Sequence, residues 1–429
     1  MNKHNIGKDS SMNIKVIGDG LVLKTAQDED DVERVAKFDG VVFGDEKIGE
    51  FCRSLFLNHP NTQFSDLIFV ENERTGEVVS SLCLIPWQWN YGDVKLGVAE
   101  MGIVGTLEPY RCRGLIRAQV NYFKELINKR EFDISIIQGI PHFYRQFDYE
   151  YAIPLERWCQ IEFHQIPDIP EMKYTCHQES ASDINHLERL YNETANDLDI
   201  HTCRTPEIWK YLVEISPLTV TDSERWIVED TNKNIAGYFS IQKHPFGNSL
   251  SVNEVSRLSY DMAMAVLKHL KQIAIERGKP NIRLNLPAND RLVRIAKYHG
   301  AHDTGGYAWQ IHIPCFSRFL KKIGLVLEQR LRESPFENLT ENVLITFYKE
   351  KIEMCFSDGK LTDVRSLGFS SDQRAPIRLP WRAAIPLFMG YKSRDELRES
   401  WHDMGTEPKQ SLLIDHLFPK MDSYIYSIY

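Results

Sequence analysis

The sequence has no long apolar run. No stretch approaches the roughly 18 apolar residues that a membrane-spanning helix needs, so we expect no membrane span. Residues 1–12 are polar and lack the apolar centre of a secretory signal, which predicts a frayed tail there. The cysteines, described next, predict reduced thiols and therefore a cytoplasmic protein.

Metal-binding and disulfide patterns are also missing. The eight cysteines are widely and unevenly spaced without a CxxC pair, and the histidines form no HExxH motif. Structural zinc sites and disulfide frameworks need close, regular spacings of these residues, and the sequence has none. We therefore expect reduced thiols and no metal. The chain also lacks an excess of basic residues, since 51 Lys and Arg against 60 Asp and Glu give a net charge of −9. This balance argues against nucleic acid and suits a cationic partner such as an amine.

What is present is the composition of a globular chain, with 42% hydrophobic and 26% charged residues. Its length predicts about three domains. Strand and helix patterns alternate over residues 13–165, and residues 166–314 repeat the same order more faintly, which predicts a duplicated α/β domain. From residue 315 the pattern becomes α+β, beginning with a single amphipathic helix predicted over residues 318–332.

The segment from Val104 to Ile116 is the strongest candidate for a functional site in this sequence. It reads Val-Gly-Thr-Leu-Glu-Pro-Tyr-Arg-Cys-Arg-Gly-Leu-Ile and lies between a predicted strand and a predicted helix. A helix start leaves backbone N–H groups without partners, and with the positive end of the helix dipole they form an anion site. Arg111 and Arg113 add charge, and Gly114 lets a phosphate approach the backbone. This strand–turn–helix segment would form an anion-binding cradle. The cradle contains neither GxGxxG nor a P-loop, so it fits neither a dinucleotide nor a nucleoside triphosphate. The alternative is an ordinary helix start beside two surface arginines.

The run Arg111-Cys-Arg-Gly-Leu-Ile116 resembles the acetyl-CoA signature of the GNAT superfamily of N-acetyltransferases, R/Q-x-x-G-x-G/A. Ile116 replaces the final small residue, as in the enhanced intracellular survival (Eis) branch. Residues 142–149 and 388–397 resemble two further segments of that branch, although Gln146 and Asp148 replace its arginine and glycine. The resemblance extends from residue 13 to residue 429.

The resemblance implies an α/β plus α+β architecture. Two tandem GNAT (acyl-CoA N-acyltransferase) domains, a catalytic one at 13–165 and a degenerate one at 166–314, would precede a sterol-carrier-protein-like α+β domain at 315–429, with residues 1–12 as a disordered tail. The degenerate domain has no glycine-bearing cradle after Glu254; the alternative is that it binds CoA by another route. The resemblance also implies a homo-oligomer, commonly a hexamer.

The implied reaction is direct acetyl transfer, in a ternary complex, from acetyl-CoA to a primary amine. The acceptor would be a polycationic, aminoglycoside-like small molecule or a lysine side chain. The resemblance assigns coenzyme binding to nine residues: Val104, Gly105, Thr106, Arg111, Cys112, Arg113, Gly114, Leu115 and Ile116.

The resemblance further makes Tyr144 the general acid that protonates the departing sulfur. It gives the carboxylate of Tyr429 the role of base or of orienting the amine, and Glu100 is the rival base. Simple packing of Tyr144, and of the aromatic tail that ends at Tyr429, are the structural alternatives. Two other functions stay open: a non-catalytic sensor that binds CoA or a lipid, and an acyltransferase that uses another acyl-CoA donor.

Overall fold

The computed structural model describes residues 15–168, 173–180, 183–332, 334–368 and 375–429. The predicted tail at residues 1–12 lies outside the described residues. The chain packs as two compact units, of which the first comprises the chain up to Pro86, Glu100–Lys129 and Leu218–Val220, and the second the remainder. The predicted boundaries after residues 165 and 314 stay a prediction.

The first unit is a sheet with three helices. Its elements are β1 (Lys15–Gly18), β2 (Leu21–Thr25), α1 (Glu29–Phe43), α2 (Glu46–Asn58), β3 (Leu67–Asn72), β4 (Glu77–Tyr91), β5 (Val94–Thr106) and α3 (Leu115–Lys129). The strand order is β1-β2-β3-β4-β5, and the last five residues of β4 and the first six of β5 belong to the second unit.

Local chemistry sets the bounds of these elements. The Asp28 side chain accepts a hydrogen bond from the Asp31 N–H and caps α1, whose first turn is acidic. Such residues satisfy and complement a helix start. Gly44, which has φ 65°, follows the last residue of α1, and Gly76, with φ 72°, closes the hairpin between β3 and β4.

The second unit contains a larger mixed sheet. Its first elements are β6 (Ile134–Ile137), β7 (Glu150–Ile161), β8 (Tyr174–Gln178), α4 (Ile184–Ala195), β9 (Ile200–Thr202), α5 (Pro206–Glu214), β10 (Ser223–Asp230), β11 (Ile235–Gln242), β12 (Leu250–Val255), α6 (Tyr260–Glu276), β13 (Ile282–Asn285), α7 (Arg291–Tyr298) and β14 (His302–His312). Beside β5 the order is β6-β14-β7-β13-β12-β11-β10-β8, and β9 pairs with the end of β4. The strands β12 and β13 are parallel and joined by α6, which packs on the sheet through buried residues such as Val266 and Leu270.

The last part of the second unit has α+β content. Its elements are α8 (Phe316–Lys322), α9 (Gly324–Leu331), β15 (Glu341–Thr346), β16 (Lys351–Ser357), β17 (Lys360–Gly368), β18 (Ile377–Arg378), α10 (Trp381–Phe388), α11 (Arg394–Arg398), β19 (Gly405–Thr406) and α12 (Pro408–Leu417). The sheet order is β17-β16-β15-β18-β19. That this part is sterol-carrier-like stays a prediction.

The single helix predicted over residues 318–332 is wrong. The structure has two helices there, because α8 ends at Lys322 and α9 begins at Gly324. Gly324 packs against β17, where a Cβ would lie 3.1 Å from Cδ2 of Leu361, and glycine is a weak helix former. Separately, no helix among the described residues is long and apolar enough to cross a bilayer.

Candidate functional site

In the first unit, β5 becomes irregular shortly before α3. Ile103 has φ 46°, which is rare for a β-branched residue. A left-handed residue within a strand interrupts the hydrogen-bonded ladder and re-aims the residues that follow it. Two residues later Gly105 lies against α1, where a Cβ would be 2.9 Å from Cγ1 of Val42. The predicted coenzyme-binding residues Val104, Gly105 and Thr106 therefore follow a bulge.

A buried polar network holds this end of β5 to α3. The Ser80 hydroxyl lies 2.9 Å from the Gly105 carbonyl oxygen and 2.8 Å from the Thr106 hydroxyl. It also lies 2.6 Å from Oε1 of Gln119, whose Nε2 donates to the Ile68 carbonyl at 3.2 Å. Ser80 and Gln119 are fully buried, so their contacts fix the strand end relative to the first turns of α3.

The turn between β5 and α3 alternates in backbone handedness. Cys112 has φ 62° and Gly114 has φ 78°, whereas Arg111 between the strand and Cys112 is extended. Left-handed residues in alternation with others turn successive N–H groups toward one concavity, an arrangement that binds anions. Leu115 follows as the first residue of α3, so the concavity adjoins the positive end of the helix.

The donors of this turn are open. Within the described chain, the backbone N–H groups of residues 112–116 donate no hydrogen bond. Arg111 and Arg113 are exposed, and neither pairs with a described carboxylate. Nε of Arg111 donates to the Thr106 carbonyl at 3.3 Å, and the Arg113 guanidinium lies 5.1 Å from the centre of the Tyr110 ring. A Cβ on Gly114 would meet nothing within 4 Å. The turn thus has the free N–H groups, charge and space that a diphosphate needs.

A buried carboxyl group supports the bulge from the other side. Asp39 of α1 is fully buried, and its Oδ1 accepts a hydrogen bond of 2.7 Å from the Ser81 hydroxyl. The same hydroxyl lies 3.4 Å from the Ile103 carbonyl oxygen. Burial raises the pKa of Asp39 to about 7. Glu100, the rival base, is also buried in β5, with 2% of its surface exposed.

In the second unit, Tyr144 lies in a 3₁₀ turn at Phe143–Phe147, shortly after β6. Its ring packs over Gly139, which has φ 42° and whose Cβ would lie 2.6 Å from Cδ2 of Tyr144. Rings of Phe143 and Tyr149 flank it at centroid distances of 5.0 and 6.3 Å. Burial raises the pKa of Tyr144 to about 12. Its hydroxyl, which has no hydrogen-bond partner among the described residues, stays protonated at neutral pH.

The aromatic C-terminal segment, residues 423–429, runs through the interior of the second unit. The Tyr424 hydroxyl donates to the Asn285 carbonyl at 2.9 Å, and the Thr202 hydroxyl donates to the Tyr426 carbonyl at 2.7 Å. Both tyrosines are 3% exposed. The segment is therefore part of the fold of this unit.

Arg204 anchors the segment near its end. Its Nε and Nη2 donate to the Ser427 carbonyl at 2.9 and 2.6 Å. The same guanidinium makes two bonds of 2.7 Å to the buried Glu254 and lies 4.3 Å from the centre of the Tyr191 ring. A bidentate arginine–carboxylate pair is geometrically specific, so it fixes where the backbone at residue 427 can lie.

Tyr429 is held at its ring, hydroxyl and backbone. Its ring packs edge-on against Trp87 at 5.5 Å, and its hydroxyl accepts a bond of 2.7 Å from Nε2 of Gln138. The Ser427 hydroxyl donates to the Tyr429 terminal oxygen at 2.6 Å. Tyr429 bonds to Gln138, and Tyr144 packs on Gly139, the next residue along the chain. The structure therefore brings Tyr144 and Tyr429 to two consecutive residues of one segment.

The predicted site residues thus fall into two groups. Glu100 and the nine cradle residues lie in the first unit, and Tyr144 and Tyr429 lie in the second. Sequence reasoning missed the supporting residues Ser80, Asp39 and Arg204. The sequence did indicate Ser80, because two serines lie inside the apolar run from Val78 to Leu84. Buried polar groups of this kind need hydrogen-bond partners. For metals, the described residues contain no cluster of three or more His, Cys, Asp or Glu side chains suited to an ion.

Comparison with known proteins defines the class. Residues 24–152 match the acetyltransferase (GNAT) domain family. The chain therefore carries a GNAT acetyltransferase domain, which confirms the enzyme class predicted from the Arg111–Ile116 motif.

The whole chain is similar in fold to solved structures. A probable N-acyltransferase from Enterococcus faecalis V583 has 14% identity and a TM-score of 0.72, with 95% of this chain and 99% of that chain covered. A GCN5-related N-acetyltransferase from Anabaena variabilis ATCC 29413 has 16% identity and a TM-score of 0.68, with 94% and 99% covered. Eis1 from Mycobacterium abscessus has 14% identity and a TM-score of 0.61, with 94% and 99% covered. These likenesses concern the fold, and they agree with the predicted resemblance to the Eis type. No curated protein sequence matches the chain.

Proposed function

We propose that this protein is an acetyl-CoA-dependent N-acetyltransferase that acts by direct transfer on a primary amine. The acceptor belongs to an aminoglycoside-like polycationic small molecule or to lysine. The observation that carries the proposal is the open turn before α3, where the N–H groups of residues 112–116 donate to no described residue beside two unpaired arginines. The acetyltransferase domain match over residues 24–152 supports it.

Coenzyme binding is assigned to the bulged strand and the turn. The N–H groups of Cys112 to Ile116 and the charges of Arg111 and Arg113 would hold the diphosphate. Backbone amides of Val104 and Thr106 would bind the pantetheine arm and the thioester oxygen, a role in which fixed donors stabilise developing negative charge. Bound acetyl-CoA would supply the acetyl thioester.

Proton movements are assigned to two tyrosines. Tyr144 would donate its hydroxyl proton to the departing sulfur, and burial keeps that proton on the phenol at neutral pH. The carboxylate of Tyr429 would orient the amine and accept its proton. Glu100 is the rival base. The net charge of −9 suits a polycationic acceptor.

The same proposal includes the architecture. Residues 13–165 would be the catalytic domain, 166–314 a silent copy and 315–429 a sterol-carrier-like domain, in a cytoplasmic homo-oligomer such as a hexamer. A silent copy is supported by the start of α6, the helix that follows β12, because the Ser259 hydroxyl accepts from the Met262 N–H and caps it.

The test is Tyr144→Phe, assayed as free-thiol release from acetyl-CoA with an aminoglycoside as acceptor. Loss of a general acid lowers turnover by about 100-fold or more, while acetyl-CoA affinity should stay unchanged. Tyr149→Phe is the matched control, since it removes a neighbouring hydroxyl that bonds to Ser135 at 2.7 Å. Wild-type turnover in Tyr144→Phe would remove the acid role.

Further assays separate the alternatives. Deleting Tyr429 should impair turnover with the fold intact, and full activity would transfer the base role to Glu100 or water. Acetyl-CoA binding without thiol release for any amine would favour the non-catalytic sensor. Faster release from a longer acyl-CoA would favour a different acyl donor.

A further inference from the structure

The loop between β6 and the 3₁₀ turn, residues 138–142, provides the backbone on which the Tyr144 ring lies. Two side chains of β14, Tyr307 and Gln310, bond to this loop from 168 and 170 positions further along the chain. Strand β14 lies between β6 and β7 and pairs Gln310 with Ile137, the last residue of β6. The loop therefore begins beside the strand whose side chains hold it.

The two side chains bond to consecutive carbonyl groups of the loop. The Tyr307 hydroxyl donates to the Gly139 carbonyl at 3.0 Å, and Nε2 of Gln310 donates to the Ile140 carbonyl at 3.3 Å. The same nitrogen lies 3.3 Å from the Tyr307 hydroxyl, to which it donates its second hydrogen. Because Gln310 is fully buried, its amide hydrogens depend on these protein partners. Two linked donors on neighbouring carbonyl groups restrict rotation of the backbone between them.

A third side chain extends this network to the residue before the 3₁₀ turn. The Tyr151 hydroxyl accepts from the His142 N–H at 3.1 Å and lies 3.2 Å from the Tyr307 hydroxyl. Because the single Tyr307 proton is directed to the Gly139 carbonyl, the Tyr151 hydroxyl donates to Tyr307. The bonds thus run in one direction, from the His142 N–H through two hydroxyl groups to the Gly139 carbonyl. Burial raises the pKa of Tyr307, so the proton that it donates stays in place at neutral pH.

Tyr144 and Gln310 both pack against Gly139. A Cβ on Gly139 would lie 2.6 Å from Cδ2 of Tyr144 and 2.8 Å from Nε2 of Gln310. Within the described chain the Tyr144 hydroxyl forms no hydrogen bond, so its position depends on the packing of its ring. A shift of the Gly139 backbone would therefore move the Tyr144 ring and its hydroxyl.

We propose that Tyr307 and Gln310 are positioning residues for Tyr144, whose hydroxyl they place by fixing the backbone of residues 139–142. This inference rests on the proposed function, in which Tyr144 protonates the departing sulfur. Transfer of that proton requires the donor within hydrogen-bond reach of its acceptor. A misplacement of about 1 Å, even from a change outside the reacting groups, can lower the rate about 100-fold.

The experiment measures thiol release from acetyl-CoA, with an aminoglycoside as acceptor, in Tyr307→Phe, in Tyr144→Phe and in the double variant. Tyr307→Phe keeps the ring and removes the donor to Gly139, so turnover should fall about tenfold. Acetyl-CoA affinity should stay unchanged, because the residues assigned to coenzyme binding belong to the first unit. In the Tyr144→Phe background the same change should lower turnover no further, since a residue that acts through Tyr144 then has no hydroxyl to place.

The matched control is Tyr91→Phe in the same unit. The Tyr91 hydroxyl is fully buried and donates to the Phe388 carbonyl at 2.6 Å, so its loss should lower stability and leave turnover at the wild-type value. Gln310→Met removes the donor to the loop while keeping much of the volume, and it should act in the same direction as Tyr307→Phe. Wild-type turnover in both of these variants would overturn the proposal. An equal fractional loss from Tyr307→Phe with and without the Tyr144 hydroxyl would also overturn it, since the effect would then come from the fold in general.

A spectroscopic measurement tests the positioning without any acceptor amine. In protein labelled with ¹³C at the tyrosine Cζ atoms, the Tyr144 signal is the one lost in Tyr144→Phe. This signal should shift in Tyr307→Phe and in Gln310→Met and stay in place in Tyr91→Phe. An unmoved signal in the first two variants would overturn the proposal. If the wild-type protein released no thiol with any amine, the proposed function would fail, and the Tyr144 signal would still decide whether Tyr307 and Gln310 position this residue.

Discussion

Replacing Arg204 with methionine should release the C-terminal segment from the interior of the second unit. The side chain is fully enclosed and makes two hydrogen bonds to Glu254 and two to the Ser427 carbonyl. Methionine fills much of the same volume but donates nothing. The variant therefore leaves a buried carboxylate without its counter-ion and a backbone carbonyl without its donors.

The two losses differ in size and can be separated. Removing one partner of a buried ion pair costs about 3–5 kcal/mol, most of it from the uncompensated charge. Combining Arg204→Met with Glu254→Gln removes that charge while keeping an acceptor for the Tyr238 hydroxyl, which bonds to Glu254 at 2.5 Å. We expect the double variant to regain most of the stability, whereas the Ser427 carbonyl stays unanchored in both variants.

Release of the segment can be measured without any enzyme assay. Tyr429 is 9% exposed and Ile428 is fully buried, so carboxypeptidase should free tyrosine slowly from the wild-type chain and quickly from both Arg204 variants. Arg394→Met is the matched control, because Arg394 makes two bonds of 2.9 Å to Asp415 and none to the segment. It should lose stability and keep a resistant end. Equal digestion rates in the wild type and the double variant would refute the anchoring role.

Two further predictions concern the first unit. Gly114→Glu should abolish acetyl-CoA binding by placing negative charge in the turn; Gly114→Asn, which tolerates the φ of 78°, should retain most of it, and unchanged affinity in Gly114→Glu would contradict the cradle. Asp39→Asn should change stability in a pH-dependent way. The folded pKa of about 7 exceeds the unfolded value near 3.9, so the folded state binds more protons and wild-type stability falls, by up to about 4 kcal/mol, as pH rises from 4 to 7. Asparagine carries no such charge, so thermal unfolding of the variant should lack this decline, and parallel pH profiles of the two proteins would contradict the prediction.

The sequence was informative wherever short-range chemistry decides the structure. The acids from Asp28 to Asp31 are typical of a helix start, and α1 begins there; Glu73 to Gly76 are typical of a turn, and they join β3 to β4. The turn before α3 was predicted because glycine, arginines and a helix start are neighbours along the chain. These features depend on residues within a few positions of each other, which is the range over which capping and turn rules operate.

Features that depend on distant residues were not predictable in this way. Arg204 contacts Ser427 across 223 positions, and Ser80 contacts Gln119 across 39. A polar residue in an apolar run signals that a partner exists, but not which one. The bulge at Ile103 was missed for a related reason, since a β-branched residue has strand preference and only the surrounding fold imposes its left-handed backbone.

Two helix starts in this chain differ in whether their first N–H groups already have a partner. Both α3 and α6 follow the last strand of an antiparallel series, β5 and β12 respectively. Gly114 precedes α3 and has no side chain that could accept a hydrogen bond, and the first N–H groups of the helix have no described partner. Before α6 stands Ser259, whose hydroxyl already accepts from the Met262 N–H at 3.2 Å. An anion at α6 would have to displace an intramolecular bond, whereas at α3 it would satisfy donors that otherwise face only water. This difference between glycine and serine at the cap supports our proposal that the turn before α3, and not the start of α6, binds the diphosphate.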